Sequence, residues 1–212
     1  MPHKVISLIS VGRHPQSGRS RRADQDSRAV ELGLKLAGTD LDVVHAGNAE
    51  EPVLRQYAGM GLSKVTVLEQ AESADAMPAL SSYLKAEKAD IVLTGVRSES
   101  GESSGMTPYL LAEQLGWPIV ARVADIVEIK DGEAQVLLAL PRGQRRQVTV
   151  KLPFIASIDN AAQAARQSAF GPGLRAKMDT QTGSTEEDNV RVNWNEAPAK
   201  ARPKRLKVVK AK

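Results

Sequence analysis

The chain is expected to fold as an α/β protein, with a mostly parallel sheet covered by helices on both faces. Three observations lead to this class. Short unbroken apolar runs recur along the first 120 residues, several of them closing on glycine, and they alternate with segments of helical spacing. Strands buried on both faces read as continuous apolar runs, whereas a half-exposed strand alternates apolar and polar residues. The palette agrees: 42% of the 212 residues are hydrophobic but only 3% are aromatic, so the core must come from Val, Leu, Ile and Ala.

The elements follow in order. VISLISV (5–11) is a first strand, and a polar, Arg-rich loop runs from Gly12 to Gln25. Residues 27–37 place Val30, Leu34 and Ala37 at helical spacing, with Gly38 as a C-cap. LDVVHAG (41–47) is a second strand, 49–60 a helix, KVTVLE (64–69) a third strand and 76–88 another helix. ADIVLTG (89–95) is the fourth strand; a Gly/Ser/Glu loop then enters a helix over about 107–116, stopped at Pro118. Right-handed crossovers are expected between these strands.

After Pro118 the rhythm changes. PIVARVADIVEI, EAQVLLALP and RQVTVKLPFIASID are β-rich with no helix between them, and Asp131-Gly132 and Arg142-Gly143 read as turns. They predict an antiparallel extension of the same sheet. A short Ala-rich helix is expected at about 161–167. Residues 1–168 are thus read as one α/β domain and 169–212 as a long C-terminal arm, extended or disordered unless a partner holds it.

Several function classes drop out. There is no Cys, which excludes disulfides, thiolate metal sites, Fe–S clusters ligated by this chain and Cys nucleophiles. No apolar run approaches the roughly 20 residues of a membrane-spanning helix, and MPHKVISLISVGRHP lacks a signal-peptide cleavage pattern. A cytoplasmic protein is expected, or one of an organellar matrix had a transit peptide been removed. The net charge of +4 belongs to the tail: Lys200, Arg202, Lys204, Arg205, Lys207, Lys210 and Lys212 carry it, and subtracting them leaves −3 on residues 1–196.

In open parallel sheets ligands bind beyond the C-terminal ends of the strands. Three segments meet there: Ser10 to Arg13, His45 to Asn48, and GVRSESGESSGMT (95–107). In the third, Gly101 and Gly105 permit close backbone approach, while Ser103, Ser104 and Thr107 offer hydroxyls. The loop feeds a helix whose N-terminal N–H groups favour an anion such as a phosphate. Neither a Walker lysine nor GxGxxG is present, and a Ser/Gly loop is also an ordinary flexible connector. Of the three histidines only His45 sits at a strand end, and it reads as a surface or ligand-shell residue rather than a catalytic base. No nucleophile, acid–base pair or metal site is indicated.

Four stretches carry a family resemblance. LTGVRSESGESSGMTPYLLAEQLGWPIVARVADI, with Leu115-Gly116-Trp117-Pro118, VTVKLPFIAS (148–157), Asp26 with Ala29-Val30-Glu31, and AGMGLSKVTVLE (58–69) occur in one order along almost the whole chain. In this the sequence resembles the β subunit of electron transfer flavoproteins, as a divergent member. The resemblance implies a Rossmann-like, adenine-nucleotide-binding fold that holds AMP. It also implies a heterodimer with an α subunit carrying FAD, which takes electrons from a flavin-dependent dehydrogenase to an acceptor, with no catalytic residues in this chain.

Carried across, the AMP contacts fall at Ser10, at Ala23, Asp24, Gln25 and Asp26, and at Ala46. A further set lies between Gly101 and Leu111, namely Gly101, Glu102, Ser103, Ser104, Gly105, Met106, Thr107 and Leu111. The chain departs from the family pattern where Glu99, Glu102, Ser103 and Ser104 replace successive Asp residues, where Ala23, Asp24 and Gln25 replace Asn-Pro-Phe, and where Arg142 and Arg146 replace acids. Phe170 and Leu174 flank the place of the family's docking anchor for the dehydrogenase. Trp194 is read as clamping the arm onto a partner. Two other classes are weighed: a stand-alone adenine-nucleotide-binding stress or sensor homodimer, which has no use for the arm, and a nucleic-acid-binding accessory protein acting through the basic tail, which lacks any accompanying RNA- or DNA-binding motif.

Overall fold

The computed structural model describes residues 3–193. Its centre is a nine-stranded sheet in the order β11-β5-β4-β1-β6-β10-β7-β8-β9. The strands are β1 (Val5–Leu8), β4 (Asp42–Gly47), β5 (Lys64–Glu69), β6 (Ile91–Gly95), β7 (Ile119–Lys130), β8 (Glu133–Ala139), β9 (Arg145–Lys151), β10 (Phe154–Ile158) and β11 (Lys177–Thr182). From β11 to β7 all neighbours are parallel; β8 and β9 are antiparallel additions. The expected α/β class is present, and β8 and β9 form the expected antiparallel extension. Phe154–Ile158, read as part of that extension, instead inserts as β10 in parallel between β6 and β7, where its predominantly apolar run is buried on both faces.

Both faces are covered. Within each central strand, successive side chains enter opposite cores: Val43, Ile91, Leu93 and Phe154 on one side, Val44, Val92 and Ile155 on the other. The first core lies under α1 (Asp24–Ala37) and α2 (Val53–Ala58), the second under α3 (Ala76–Glu87) and α4 (Thr107–Leu115). The chain moves outward from β1 through β4 to β5, then crosses back to place β6 on the other side of β1. The C-terminal ends of β1 and β6 therefore form a topological switch point, where a crevice opens.

The two expected turns are built as their residues dictate. Asp131 (φ 52) and Gly132 (φ 79) both occupy the left-handed region between β7 and β8, as a two-residue hairpin of the primed type requires. Arg142 and Gly143 do the same between β8 and β9.

Three further segments differ from expectation. The loop after β1 holds a small hairpin, β2 (Val11–Arg13) with β3 (Ser20–Arg22), and α1 starts at Asp24, three residues early. No helix forms over 161–167, because tertiary partners take that backbone. Asp159 caps a turn at Ala161 and Ala162, and Arg28 donates to the Ala162 carbonyl. The Glu31 carboxylate on α1 accepts from the Arg166 N–H at 3.0 Å and from its guanidinium at 2.8 Å. Residues 170–182, expected within an extended arm, form α5 (Phe170–Arg175) and then β11, which pairs with β5 over six residues. Trp194 and the basic residues from Lys200 to Lys212 lie outside the described residues.

α5 is seated on α2 by close backbone approach. A Cβ at Gly173 would clash with the Arg55 carbonyl oxygen. Arg55 Nη1 in turn donates to the carbonyls of Leu174 (3.1 Å) and Ala176 (2.6 Å), closing the end of the short helix. Gly173→Ala should destabilise the protein by about 1–3 kcal/mol through overpacking. The check is the midpoint of urea unfolding; an unchanged midpoint would show that α5 is not held there.

Candidate functional site

At the switch point lies a cleft of about 210 Å³. Its walls come from the ends of β1, β4 and β6, the start of α3, and the loop running from β6 into α4. One side is apolar, with Leu8, Val44, Ala46 and Leu80; the other carries Ser10, Asp26, Thr94 and the loop residues Ser103, Ser104 and Thr107.

Asp26 is the structural hub of this site. It is buried in the first turn of α1, and its two oxygens span the switch point. Oδ2 accepts from the Ser10 backbone N–H (2.8 Å) and the Ser10 hydroxyl (2.5 Å), while Oδ1 accepts from the Gly95 N–H (3.0 Å). One carboxylate thus ties the ends of β1 and β6 to the start of a helix whose N-terminal dipole favours a negative charge. Burial nevertheless pushes its pKa up to about 6, against the lowering effect of these three hydrogen bonds.

Tyr57 on α2 does not line the cleft but braces its Ser10 edge. Its hydroxyl donates to the Ser10 carbonyl and accepts from the Ala23 N–H, both at 2.9 Å. Burial, with Asp26 nearby, holds the phenol far above its usual pKa, so it stays neutral and can serve both bonds.

The loop between β6 and α4 is fastened from outside the cleft. Gln25 Oε1 accepts from the N–H groups of Val96 (3.0 Å) and Arg97 (3.1 Å). Glu99 forms a two-point ion pair with Arg21 and accepts from the Asp24 N–H at 2.9 Å. The Ser100 hydroxyl donates to the Val11 carbonyl. Gly105 is at φ 75, and a Cβ there would stand 2.8 Å from the Val96 carbonyl oxygen, so only glycine lets the loop turn into α4. The N–H groups of Ser104, Gly105 and Thr107 have no acceptor among the described residues, and Pro108 has no N–H to satisfy.

His45 is buried, not at the surface. Its Nδ1 lies 3.1 Å from the Ile9 carbonyl, and burial holds its pKa below the usual histidine value. Among the described residues no group of three or more His, Asp or Glu is placed to hold a metal ion. No described helix is long and apolar enough to cross a membrane.

Comparison with known proteins decides the family. The sequence matches the Electron transfer flavoprotein domain over residues 16–211. It is 48% identical to the electron transfer flavoprotein subunit beta of Chromohalobacter salexigens across 211 residues, 98% of this chain and 79% of that protein. It is also 25% identical to the putative electron transfer flavoprotein subunit YgcR of Escherichia coli, over 73% of this chain and 61% of that protein. The chain belongs to the electron transfer flavoprotein β-subunit family.

Of the residues that the family resemblance marked, the fold brings Ser10, Asp26, Ala46, Glu102, Ser103, Ser104, Gly105 and Thr107 to the cleft. The others stand behind it. Ala23 is buried against the Tyr57 hydroxyl, Asp24 is exposed and paired with Arg28, and Gln25 braces the loop. Gly101 sits at an open turn, Met106 is an exposed residue ahead of α4, and Leu111 is fully buried beneath that helix. Arg97, Thr94, His45 and Leu80 line the cleft without having been singled out as contacts. The strand-end position of His45 was a signal for it; Leu80 on α3 had none, since its place depends on how α3 packs.

The donor set suits a ligand with a flat apolar part and an anionic end. Leu8, Val44, Ala46 and Leu80 can cover a ring, and the free N–H groups ahead of α4, with Arg97 at the rim, can receive an anion. Away from the cleft, Phe170 is 81% exposed and Leu174 is 54% exposed, four residues apart on α5 and so on one face.

Because the folded protein protonates Asp26 near pH 6 while an unfolded chain does so near pH 4, lowering the pH through this window favours the folded state. Asp26→Asn abolishes that contribution. The wild-type protein should therefore gain stability relative to the Asn variant between pH 7 and pH 4.5, measured by urea unfolding at both pH values. Parallel behaviour of the two proteins would mean that Asp26 does not titrate in the window.

Proposed function

We propose that this chain is the β subunit of an electron transfer flavoprotein that pairs with an FAD-carrying α subunit and binds AMP in the cleft between β1, β4 and β6. FAD supplies the redox chemistry, accepting electrons from a flavin-dependent dehydrogenase and passing them to an acceptor. This chain contributes no catalytic residue. It acts in the cytoplasm as scaffold and docking subunit, with the segment from Ala169 onward facing partners.

The observation that carries the reading is a cleft of mixed character at the switch point of a chain in this family. Its apolar wall at Val44, Ala46 and Leu80 suits the adenine ring, and the loop from Glu102 to Thr107 suits the phosphate. The nucleotide would then be structural: bound in the cleft, it satisfies N–H groups of the loop that the protein leaves free, and adds to the clamp that Asp26, Gln25 and Glu99 provide. Glu102 lines the same cleft, and its charge opposes a phosphate directly beside it, which favours a monophosphate over a longer polyphosphate chain.

Mass spectrometry of nucleotides released from the natively purified protein, with every co-purifying chain counted, tests this directly. FAD and AMP in equal amounts with one larger partner is the expected result. FAD without AMP would retain the redox role and remove the nucleotide. A homodimer carrying ATP or nothing would overturn the reading.

Docking is assigned to Phe170 and Leu174, whose exposed apolar side chains sit on a helix fixed to α2. Rigid, exposed apolar anchors lose little entropy when a partner covers them. The double variant Phe170→Ala and Leu174→Ala should slow electron transfer from the dehydrogenase about ten-fold or more, since each buried anchor contributes over 1 kcal/mol, with the urea midpoint unchanged. Unaltered kinetics would remove the assignment.

A further inference from the structure

The strands that end at the cleft set a row of side chains across its floor. Successive residues of a strand face opposite sides of the sheet. In β6, Ile91 and Leu93 enter the first core and Val92 the second, so Thr94 faces the second side. Leu8 of β1 and Val44 of β4 belong to that same second core. Leu8 stands opposite Val44, and Thr94 follows the Leu93–Ser7 pair by one residue, which brings it beside Leu8. All three line the cleft, together with Leu80 of α3 and Pro108 of α4.

Thr94 is the polar member of this row. It is 5% exposed, and its hydroxyl donates to the Gly95 carbonyl at 2.8 Å. A hydroxyl that reaches the carbonyl of the next residue leans toward the C-terminal end of its strand, the end at which the cleft opens. That bond uses the single hydrogen of the hydroxyl and leaves its lone pairs to accept. No donor among the described residues reaches them. An unfilled acceptor in an otherwise apolar row gains only from a ligand that brings a hydrogen.

The place of Thr94 in the row selects the part of the ligand. Neighbouring strands lie about 4.8 Å apart, so Thr94 on β6 stands roughly 10 Å from Val44 on β4, with β1 between them. Val44, Ala46 and Leu80 form the apolar wall that suits the base, and the loop leaving β6 at Gly95 carries the N–H groups that suit the phosphate. Between the two a nucleotide carries its sugar. We propose that Thr94 is a specificity-determining residue of this site, its hydroxyl oxygen accepting a hydrogen bond from a ribose hydroxyl of the bound nucleotide. The site then prefers ribonucleotides to deoxyribonucleotides. The inference rests on the nucleotide-binding reading above.

The test compares dissociation constants of the full chain for AMP, 2′-deoxy-AMP and 3′-deoxy-AMP. One of the two deoxy analogues should bind about 3- to 10-fold more weakly than AMP, the loss expected for one neutral hydrogen bond. In Thr94→Val, which keeps the branched shape and removes the hydroxyl, that gap should close. In Thr94→Ser, which keeps the hydroxyl, it should persist. A merely structural role would shift all three affinities together and leave the gap in place in Thr94→Val. Equal affinity of the wild-type chain for the three nucleotides, or an unchanged gap in Thr94→Val, overturns the inference while leaving AMP binding intact. Failure of AMP itself to bind the wild-type chain overturns both readings.

Discussion

A parallel sheet that reverses direction leaves two neighbouring strand ends without helices directly over them, and something must hold those ends together. Here it is the carboxylate of Asp26. Its three accepted hydrogen bonds join Ser10 after β1 and Gly95 at the end of β6 to the first turn of α1. Burying an ionised group is costly, as the rise of its pKa to about 6 records, and only several well-placed donors make such burial tolerable. With the ends fixed, the loop that follows β6 leaves from a defined point; Gln25 catches its backbone at Val96 and Arg97, and Glu99 on the loop accepts from the Asp24 N–H at the start of α1. The cleft is the space this clamp keeps open.

The second support is α2, which serves two places at once. Through Tyr57 it braces the Ser10 carbonyl and the Ala23 N–H beneath the cleft. Through Arg55 and the small residues Gly59 and Gly173 it holds α5, and so the exposed Phe170 and Leu174. A helix of only six residues has little stability of its own. It persists because its neighbours, the β3 end of the small hairpin, β5 and α5, pack against it. The proposed nucleotide site and the proposed docking face thus share one rigid element.

Much of this was legible in the sequence. Unbroken apolar strands such as VVH and IVL announced a sheet buried on both faces, and Asp131-Gly132 announced its hairpin, because both signals are local. The long-range choices were not. Nothing in FIASI says that β10 inserts in parallel between β6 and β7, and KMDTQT is too polar to read as a strand, being an exposed edge. The Ala-rich run at 161–167 has helical propensity, but Glu31 and Arg28 on α1 offer its backbone other partners. In the site, segment-level reading reached the right loops yet could not separate Asp26, which enters the cleft, from its neighbours Ala23 and Asp24, which face away. That distinction depends on where α1 begins. It begins at Asp24 because three acceptor-satisfied contacts with the loop hold its first turn there.

Native-state hydrogen exchange at the backbone N–H groups of Ser10 and Gly95 tests the central claim most directly. Both donate to the buried Asp26 carboxylate, Ser10 from just beyond β1 and Gly95 from the last position of β6. If Asp26 is the clamp, both amides exchange only as slowly as those of the core strands β1 and β6, near the rate of global unfolding. Exchange of either amide at the rate of an open loop would contradict the account, because the two strand ends would then be joined by something other than Asp26.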